Sequence, residues 1–356
     1  MLKLINVCAV LSIVAFSLRA ETIVLFAGAG SGPDGGPAVG AKINHPFGTG
    51  IDKAGNVYIP EFGGDRIRKI DTKGIITTLA GNGTKGHTGD GGPSEKAEVN
   101  WVHNLIVAPD GNLYIADTGN FCMRKIDLAT GLISTVAGTG KKGFSGDGGP
   151  ATKADFGGVY CVACDTKGER LYAVDLDNRR IRAVDLKTGI VTTVAGNGQK
   201  GLPKNGDVAA TSPLVDPRAV AVDAAGNVYI LERGGHALRV VEADGKVRTV
   251  VGTGKKGLSG DGGDALKAEL SGPKHLCIDL ENNVLIADTD NHVIRKYTPK
   301  DGKITHVAGT GKAGADGLNG PPENVKLSQP HGVFVDASGT IFISDSYNDR
   351  VLKIVK

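Results

Sequence analysis

Aromatic residues are scarce: 9 Phe, 7 Tyr and 1 Trp in 356 residues. Base-stacking platforms for single-stranded nucleic acid are built from such rings. An excess of charge is lacking as well. Forty-one basic against 38 acidic side chains give a formal charge of +3, which falls to +1 without Lys3 and Arg19 at the N-terminus. Nucleic-acid binding through bulk charge is thereby excluded. No segment sustains an apolar period of 3.6, so the chain has no substantial helices. The one long apolar run is the first 18 residues, which carry Lys3 near the start and end in Leu18-Arg19-Ala20. That pattern predicts a secretory signal peptide over 1–20, a secreted or periplasmic protein, and no membrane association once the leader is removed.

Glycine, in contrast, is abundant, with 54 residues. It is concentrated in a recurring cassette: GNGTKGHTGDGGP at 81–93, GTGKKGFSGDGGP at 138–150, GTGKKGLSGDGGD at 252–264 and a shorter GAGSGPDGGP at 28–37. Degenerate copies occupy 196–207 and 309–322. So much glycine reads as a long shaped loop made six times, with Gly in positive-φ turns and Asp capping them. The opening glycines lie at 28, 81, 138, 196, 252 and 309, spaced by 53 to 58 residues. A fixed period of that length means stacked supersecondary units.

Within one period lie four short runs rich in β-branched residues. In the third unit these are 159–164, 171–175, 180–185 and 190–195. Four strands per unit and six units predict an all-β, six-bladed β-propeller. The mature domain is placed at 21–356, with blades near 46–81, 102–138, 159–196, 217–252, 273–309 and 330–355. The last unit has only three strand candidates, and residues 22–28 match the missing fourth. They are therefore expected to join blade 6 and close the ring, removing an unpaired edge.

Four cysteines follow Cys8. Cys161 and Cys164 are three apart on a predicted strand and so point to opposite faces, which argues against a redox pair or a shared metal. Buried thiols are the favoured reading, with a disulfide from Cys122 to Cys161 or Cys164 as the alternative.

Asp290-Asn-His-Val-Ile-Arg295 and Asp117-Thr-Gly-Asn120, each set between apolar strands, carry a recognisable pattern. The sequence resembles the NHL-repeat propellers over its whole mature length. The triplet survives as Asn291-His292-Val293 in one unit, with Asn120, Asn178 and Asn348 in others and Gly-Gly at 63–64 and 234–235. The resemblance implies a six-bladed propeller. It leaves function open, because such propellers include protein-binding, sensor, RNA-binding and metal-dependent lyase members.

Candidate site residues follow from aligning the first strands. Five positions before the acid that usually ends each strand stand Phe47, His103, Tyr160, Arg218, Lys274 and His331. The expected geometry puts this chemically mixed ring at the mouth of the central channel, on a top face also built from the long loops. A second ring, Glu61, Asp117, Asp175, Glu232, Asp288 and Asp345, ends the second strands. It is read as structural, pairing with Arg68, Arg124, Arg182, Arg239 and Arg295, with a cation-holding collar as the alternative. His103, His331 and His275, or His45, are candidate ligands for Zn²⁺. No cofactor is expected, with Zn²⁺ or Ca²⁺ in the channel as the alternative. His87, His236, His292 and His306 are expected to face solvent.

Two functions compete. The first is an exported binding module, monomeric, that holds a protein, peptide or glycan on its top face. The second is a metal-dependent lyase or lactone hydrolase, with Tyr160 or Arg218 as acid/base or oxyanion partner.

Overall fold

A computed structural model describes residues 21–356, so the leader proposed for 1–20 lies outside the described residues. Six antiparallel sheets follow one another around a channel. Their inner strands are Gly50–Ile51, Val102–Val107, Val159–Cys164, Pro217–Val222, His275–Ile278 and Gly332–Val335. The second strands are Val57–Glu61, Leu113–Asp117, Arg170–Asp175, Val228–Glu232, Val284–Asp288 and Ile341–Asp345. The third strands are Arg66–Ile70, Cys122–Ile126, Arg180–Asp185, Ala237–Val241, Val293–Thr298 and Arg350–Val355. Blades 1 to 5 end in outer strands Ile76–Ala80, Ile133–Ala137, Val191–Ala195, Lys246–Val251 and Lys303–Ala308.

Blade 6 takes its outer strand from the other end of the chain. Thr22–Gly32 runs antiparallel to Arg350–Val355, with Thr22 opposite Val355 and Gly28 opposite Arg350. Ile23 and Ala27 on this strand are fully buried. On the inner side, Ser344 Oγ and Ser346 Oγ donate to the carbonyls of Gly48 and Pro46 at 3.2 and 2.6 Å, tying blade 6 to blade 1. The ring is closed as the period and the missing strand require.

The strands are buried on both faces because each blade packs between two others. Cys161 enters the apolar cluster shared with blade 4, whereas Cys164 enters the one shared with blade 2. The opposite-face argument therefore holds. All four described cysteines are free thiols, so the alternative of a Cys122 disulfide is overturned.

The glycine cassettes do something other than cover the top face. Each runs from the end of one blade to the rim of the next and pairs with its outer strand. Gly91 N donates to Ile133 O and Gly148 N to Val191 O. Gly262 N donates to Ile304 O, and Gly35 N to Ile76 O. The degenerate copies follow suit, with Gly206 N on Val247 O and Ile23 N on Gly320 O. Every outer edge is thus covered by backbone, which blunts the edge-to-edge association open to a bare strand. Glycine is required at the turn: Gly146 has φ 87° and a Cβ there would meet Ala154 at 2.7 Å. A single 3₁₀ turn, such as Ala151–Lys153, then carries the chain back toward the axis.

Candidate functional site

The third-strand arginines explain why the cassettes hold their shape. Arg124, Arg182 and Arg295 are fully buried. Arg182 donates to Asp147 in the cassette at 2.9 Å, to the carbonyls of Ser145 and Asp155, and lies 3.9 Å from Asp175 on its own blade. Arg124 and Arg295 repeat this with Asp90 and Asp261. The cassette aspartates are arginine partners, not turn caps as the sequence suggested. In blade 6 the third strand has no arginine at the matching position, and Arg350, two residues earlier, pairs with Asp345 and takes the carbonyls of Ala315 and Lys326.

The second-strand acids are accordingly structural and do not form an open collar. Glu61, Asp117, Asp175, Glu232, Asp288 and Asp345 are at most 3% exposed. Each accepts a backbone N–H from the segment entering the inner strand, as from Asn100 to Asp117 and Gly157 to Asp175. In blades 2, 3, 5 and 6 an asparagine three residues on completes the set. Asn178 Nδ2 donates to Asp175 and to Gly143 O at 2.7 Å, and Asn120, Asn291 and Asn348 do likewise. Blades 1 and 4 replace the Asp-Asn pair with Glu and Gly. A Cβ on Gly64 would stand 2.7 Å from Glu61 Oε2, so the longer acid fills the asparagine's space.

The next residue of every turn is left-handed without being glycine: Asp65, Phe121, Arg179, His236, His292 and Asp349, with φ from 46° to 57°. Four of these reach across to the following blade. Asp65 accepts from Trp101 N, His236 from Gly272 N, His292 from Gln329 N and Asp349 from His45 N. His236 and His292 are thus inter-blade acceptors rather than solvent-facing groups. Burial lowers the pKa of both, which keeps the accepting nitrogen free of a proton. His87 remains exposed, as expected, with its ring 3.6 Å from the Cys122 thiol.

These clasps set the entrance of each inner strand, and there the six ring positions meet. In blades 2, 3 and 4 the strand register shifts across His103, Tyr160 and Arg218. Such bulges re-aim a side chain. Phe47 lies between the histidines of the flanking blades, stacked on His331 at 4.2 Å and 5.3 Å from His103. His103 is 4.5 Å from Tyr160, whose face takes the Arg218 guanidinium at 4.6 Å. Lys274 completes the ring 3.5 Å from Asp290.

His103 and His331 bond through Nδ1 to the carbonyls of Trp101 and Gln329 at 3.0 and 2.7 Å. Burial, with Arg218 and Arg233 near His103 and Lys274 and Arg218 near His331, holds both well below the usual imidazole range. His275 sits one residue deeper, between Asn104 Nδ2 and Val333 N, and burial with Arg218 brings it down to about 4. All three are neutral at pH 7. Among the described residues, no three His, Cys, Asp or Glu side chains gather as a metal cluster. Below the ring the channel narrows to a space of about 160 Å³ lined by Asn104, Cys161, Val220, His275 and Phe334 among others.

Four further contributors lie outside the six aligned ring positions. Phe62 and Arg233 follow the glutamates of blades 1 and 4, where the other blades carry Thr118, Leu176, Thr289 and Ser346. Thr118, Thr289 and Ser346 spend their hydroxyls on the next blade's backbone. Phe62 and Arg233 do not, and they turn to the mouth: Phe62 stacks on Phe47 at 4.6 Å, and Arg233 pairs with Asp216 at 2.7 Å. The Glu-Gly signature marks both positions. Trp101 and Tyr347 extend the aromatic arc and are 45% and 55% exposed. Trp101 also holds φ 52°, a costly conformation for a bulky residue.

Comparison with known proteins places this geometry. The model of the Teneurin NHL domain matches residues 26–88. NHL repeat-containing protein 2 of Gallus gallus is 26% identical over 329 residues, covering 81% of this chain and 44% of its own. Together with the Asn-bearing turns and the closed ring of six blades, these matches make the chain similar to the NHL-repeat propellers. The chloroplastic protein SUPPRESSOR OF QUENCHING 1 of Arabidopsis thaliana is 26% identical over 288 residues, 78% of this chain and 27% of the relative. The chain therefore spans less than half the length of these two relatives. Among solved structures, an auxiliary nutrient binding protein from Bacteroides thetaiotaomicron superposes with a TM-score of 0.67 at 15% identity, over 94% of this chain and 76% of that one. Virginiamycin B lyase from Staphylococcus aureus gives 0.54 at 15% identity, over 94% and 99%. At such identities the likeness concerns the fold alone.

Proposed function

We propose that this NHL-like propeller is an exported binding module whose ligand site is the channel mouth. One observation carries the reading. Six side chains that repeat in position but differ in chemistry converge on one entrance, each aimed there by backbone the rest of the blade has fixed. Scaffold chemistry recurs in several blades, as the arginine lock of blades 2, 3 and 5 shows, whereas neighbouring ring positions all differ in residue type. Export is supported by the leader-like first 20 residues. The Teneurin and nutrient-binding neighbours fit an extracellular or periplasmic setting.

The metal-dependent alternative draws less support. Phe47 stands between His103 and His331, and both nitrogens of His275 are engaged. The reading is tested by a thermal-shift panel of peptides, neutral glycans and small organic acids on the protein lacking residues 1–20. A genuine ligand raises the melting temperature of the parent protein and loses at least tenfold in affinity with Tyr160→Ala or His331→Ala. A ligand indifferent to both substitutions would place binding elsewhere and contradict the proposal.

A further inference from the structure

The mouth is chemically polarised. Blades 1 and 4 face each other across a ring of six, and they carry its two poles. On the side of blade 1 lie Phe47 and Phe62, continued by Trp101 of blade 2, with ring centroids 4.6 and 6.1 Å apart along the series. On the side of blade 4 lie Arg218 and Arg233, continued by Lys274 of blade 5. Arg233 is matched by Asp216 and Lys274 by Asp290. Arg218 is matched by nothing. It is 6% exposed, its Nε is buried without a hydrogen-bond partner, and it forms no ion pair among the described residues. The Tyr160 face lies 4.6 Å away, and Asp216, already paired with Arg233, acts on Arg218 only from beyond ion-pair range. Burial, with Arg233 nearby, lowers its pKa to about 10, so it still carries its charge at pH 7.

A guanidinium taken out of water without a counter-ion costs several kcal/mol, and cation–π contact returns only part of that. Elsewhere in this protein buried arginines are paired with a carboxylate without exception among the described residues: Arg68, Arg124, Arg182, Arg239, Arg295 and Arg350. The exception stands at the channel mouth, where its field reaches His103, His275 and His331.

Building on the channel-mouth reading, we infer that the ligand is an organic anion. Its carboxylate would pair with Arg218 in the missing acceptor position, and a flat ring face would lie against Phe62 and Trp101. A guanidinium offers a carboxylate two parallel N–H donors, a geometry a lysine does not reproduce. The flat face can belong to an aromatic acid or to a sugar acid, since both stack on indole and phenyl rings.

Calorimetric titration separates these sources and tests the charge. The probes are indole-3-acetate and galacturonate, each against its neutral counterpart, indole-3-acetamide and galactose. Binding of one acid at least tenfold tighter than its neutral counterpart supports the inference and identifies the ring class, in line with the worth of a charged hydrogen bond. Arg218→Met should abolish that preference and, without ligand, leave the melting temperature unchanged or higher, because an unpaired buried charge is gone. Should that variant fail to fold, Arg218→Lys keeps the charge, loses the two-pronged contact and should weaken the acid about tenfold. Equal binding of acid and neutral probe, undiminished binding by the arginine variants, or no binding of either acid at millimolar concentration overturns the inference. A neutral glycan or peptide that binds in a Tyr160-dependent way would leave the channel mouth as the site and sink the anion alone.

Discussion

The arginine lock gives the sharpest prediction about stability. Replacing Arg182 by Met keeps most of the side chain's length and removes the guanidinium. Asp175, fully buried, then keeps only Gly157 N and Asn178 as partners, while the carbonyls of Ser145 and Asp155 lose their donor. Stranding one partner of a buried pair costs about 3–5 kcal/mol. For a chain of this size the entropy of unfolding converts that to a fall in melting temperature of about 4–7 °C. Cassette 138–150 should also loosen, and its amides, Gly148 N among them, should exchange faster by hydrogen–deuterium mass spectrometry. The sign of the pH dependence follows. Burial already pushes the Asp175 carboxyl up to about 6. Without Arg182 it rises further, so the deficit should shrink as pH falls from 8 to 6 and the carboxyl takes up a proton. The same change at Arg239 should destabilise through Glu232 but leave its cassette's exchange unaltered, because Arg239 bonds to Glu232 and Thr249 and not to the cassette. A loss under 1 kcal/mol at Arg182, with unchanged exchange, would refute the lock.

Further predictions concern the turns, the closure and the histidines. Gly64→Asn should cost about 1–3 kcal/mol by crowding Glu61, and Glu61→Asp in the same chain should recover most of it by recreating the Asp-Asn pair of blades 2 and 3. Equal, additive losses in denaturant melts would show that the two residues are not exchanged as a unit. Deleting residues 21–28 should bare the outer edge of Arg350–Val355 and shift the protein to a larger assembly than the parent on size-exclusion chromatography. An unchanged elution volume with the parent melting temperature would contradict the closure. His103, His275 and His331 should stay neutral by NMR at pH 5.5, whereas the unfolded chain titrates near 6.5. Because their folded pKa values are depressed, these three contribute a loss of stability as pH falls below about 6.5. A ring histidine titrating at 6.5 in the folded protein would remove that contribution.

Much of the architecture was legible because the chain states it six times. The opening glycines set the blade count, the runs at 159–164 and 180–185 are the observed strands, and residues 22–28 declared their partner by matching 76–81. The six ring positions were legible for the same reason: alignment of equivalent strands finds equivalent places. What the repeat concealed was contact between units. The pairing of Gly148 with Val191 joins a loop to the far edge of a blade it precedes, and nothing local in GDGGP specifies that reach. His292 looked exposed because the turn is exposed, yet its acceptor role depends on Gln329 in the next blade. Phe62 and Arg233 lie outside the six aligned positions. Their freedom comes from what they lack, a hydroxyl committed to the neighbouring backbone, and only comparison with Thr118 and Ser346 in place reveals it.

The chain contains a single tryptophan, and it stands on the aromatic side of the mouth. Its fluorescence therefore tests the central claim, that ligand binding occurs there, without any engineered probe. A ligand found by thermal shift should change Trp101 emission and protect it from iodide quenching, with a midpoint equal to the calorimetric dissociation constant. Saturable calorimetric binding with Trp101 emission and quenching unaltered would show that the ligand sits elsewhere on the propeller.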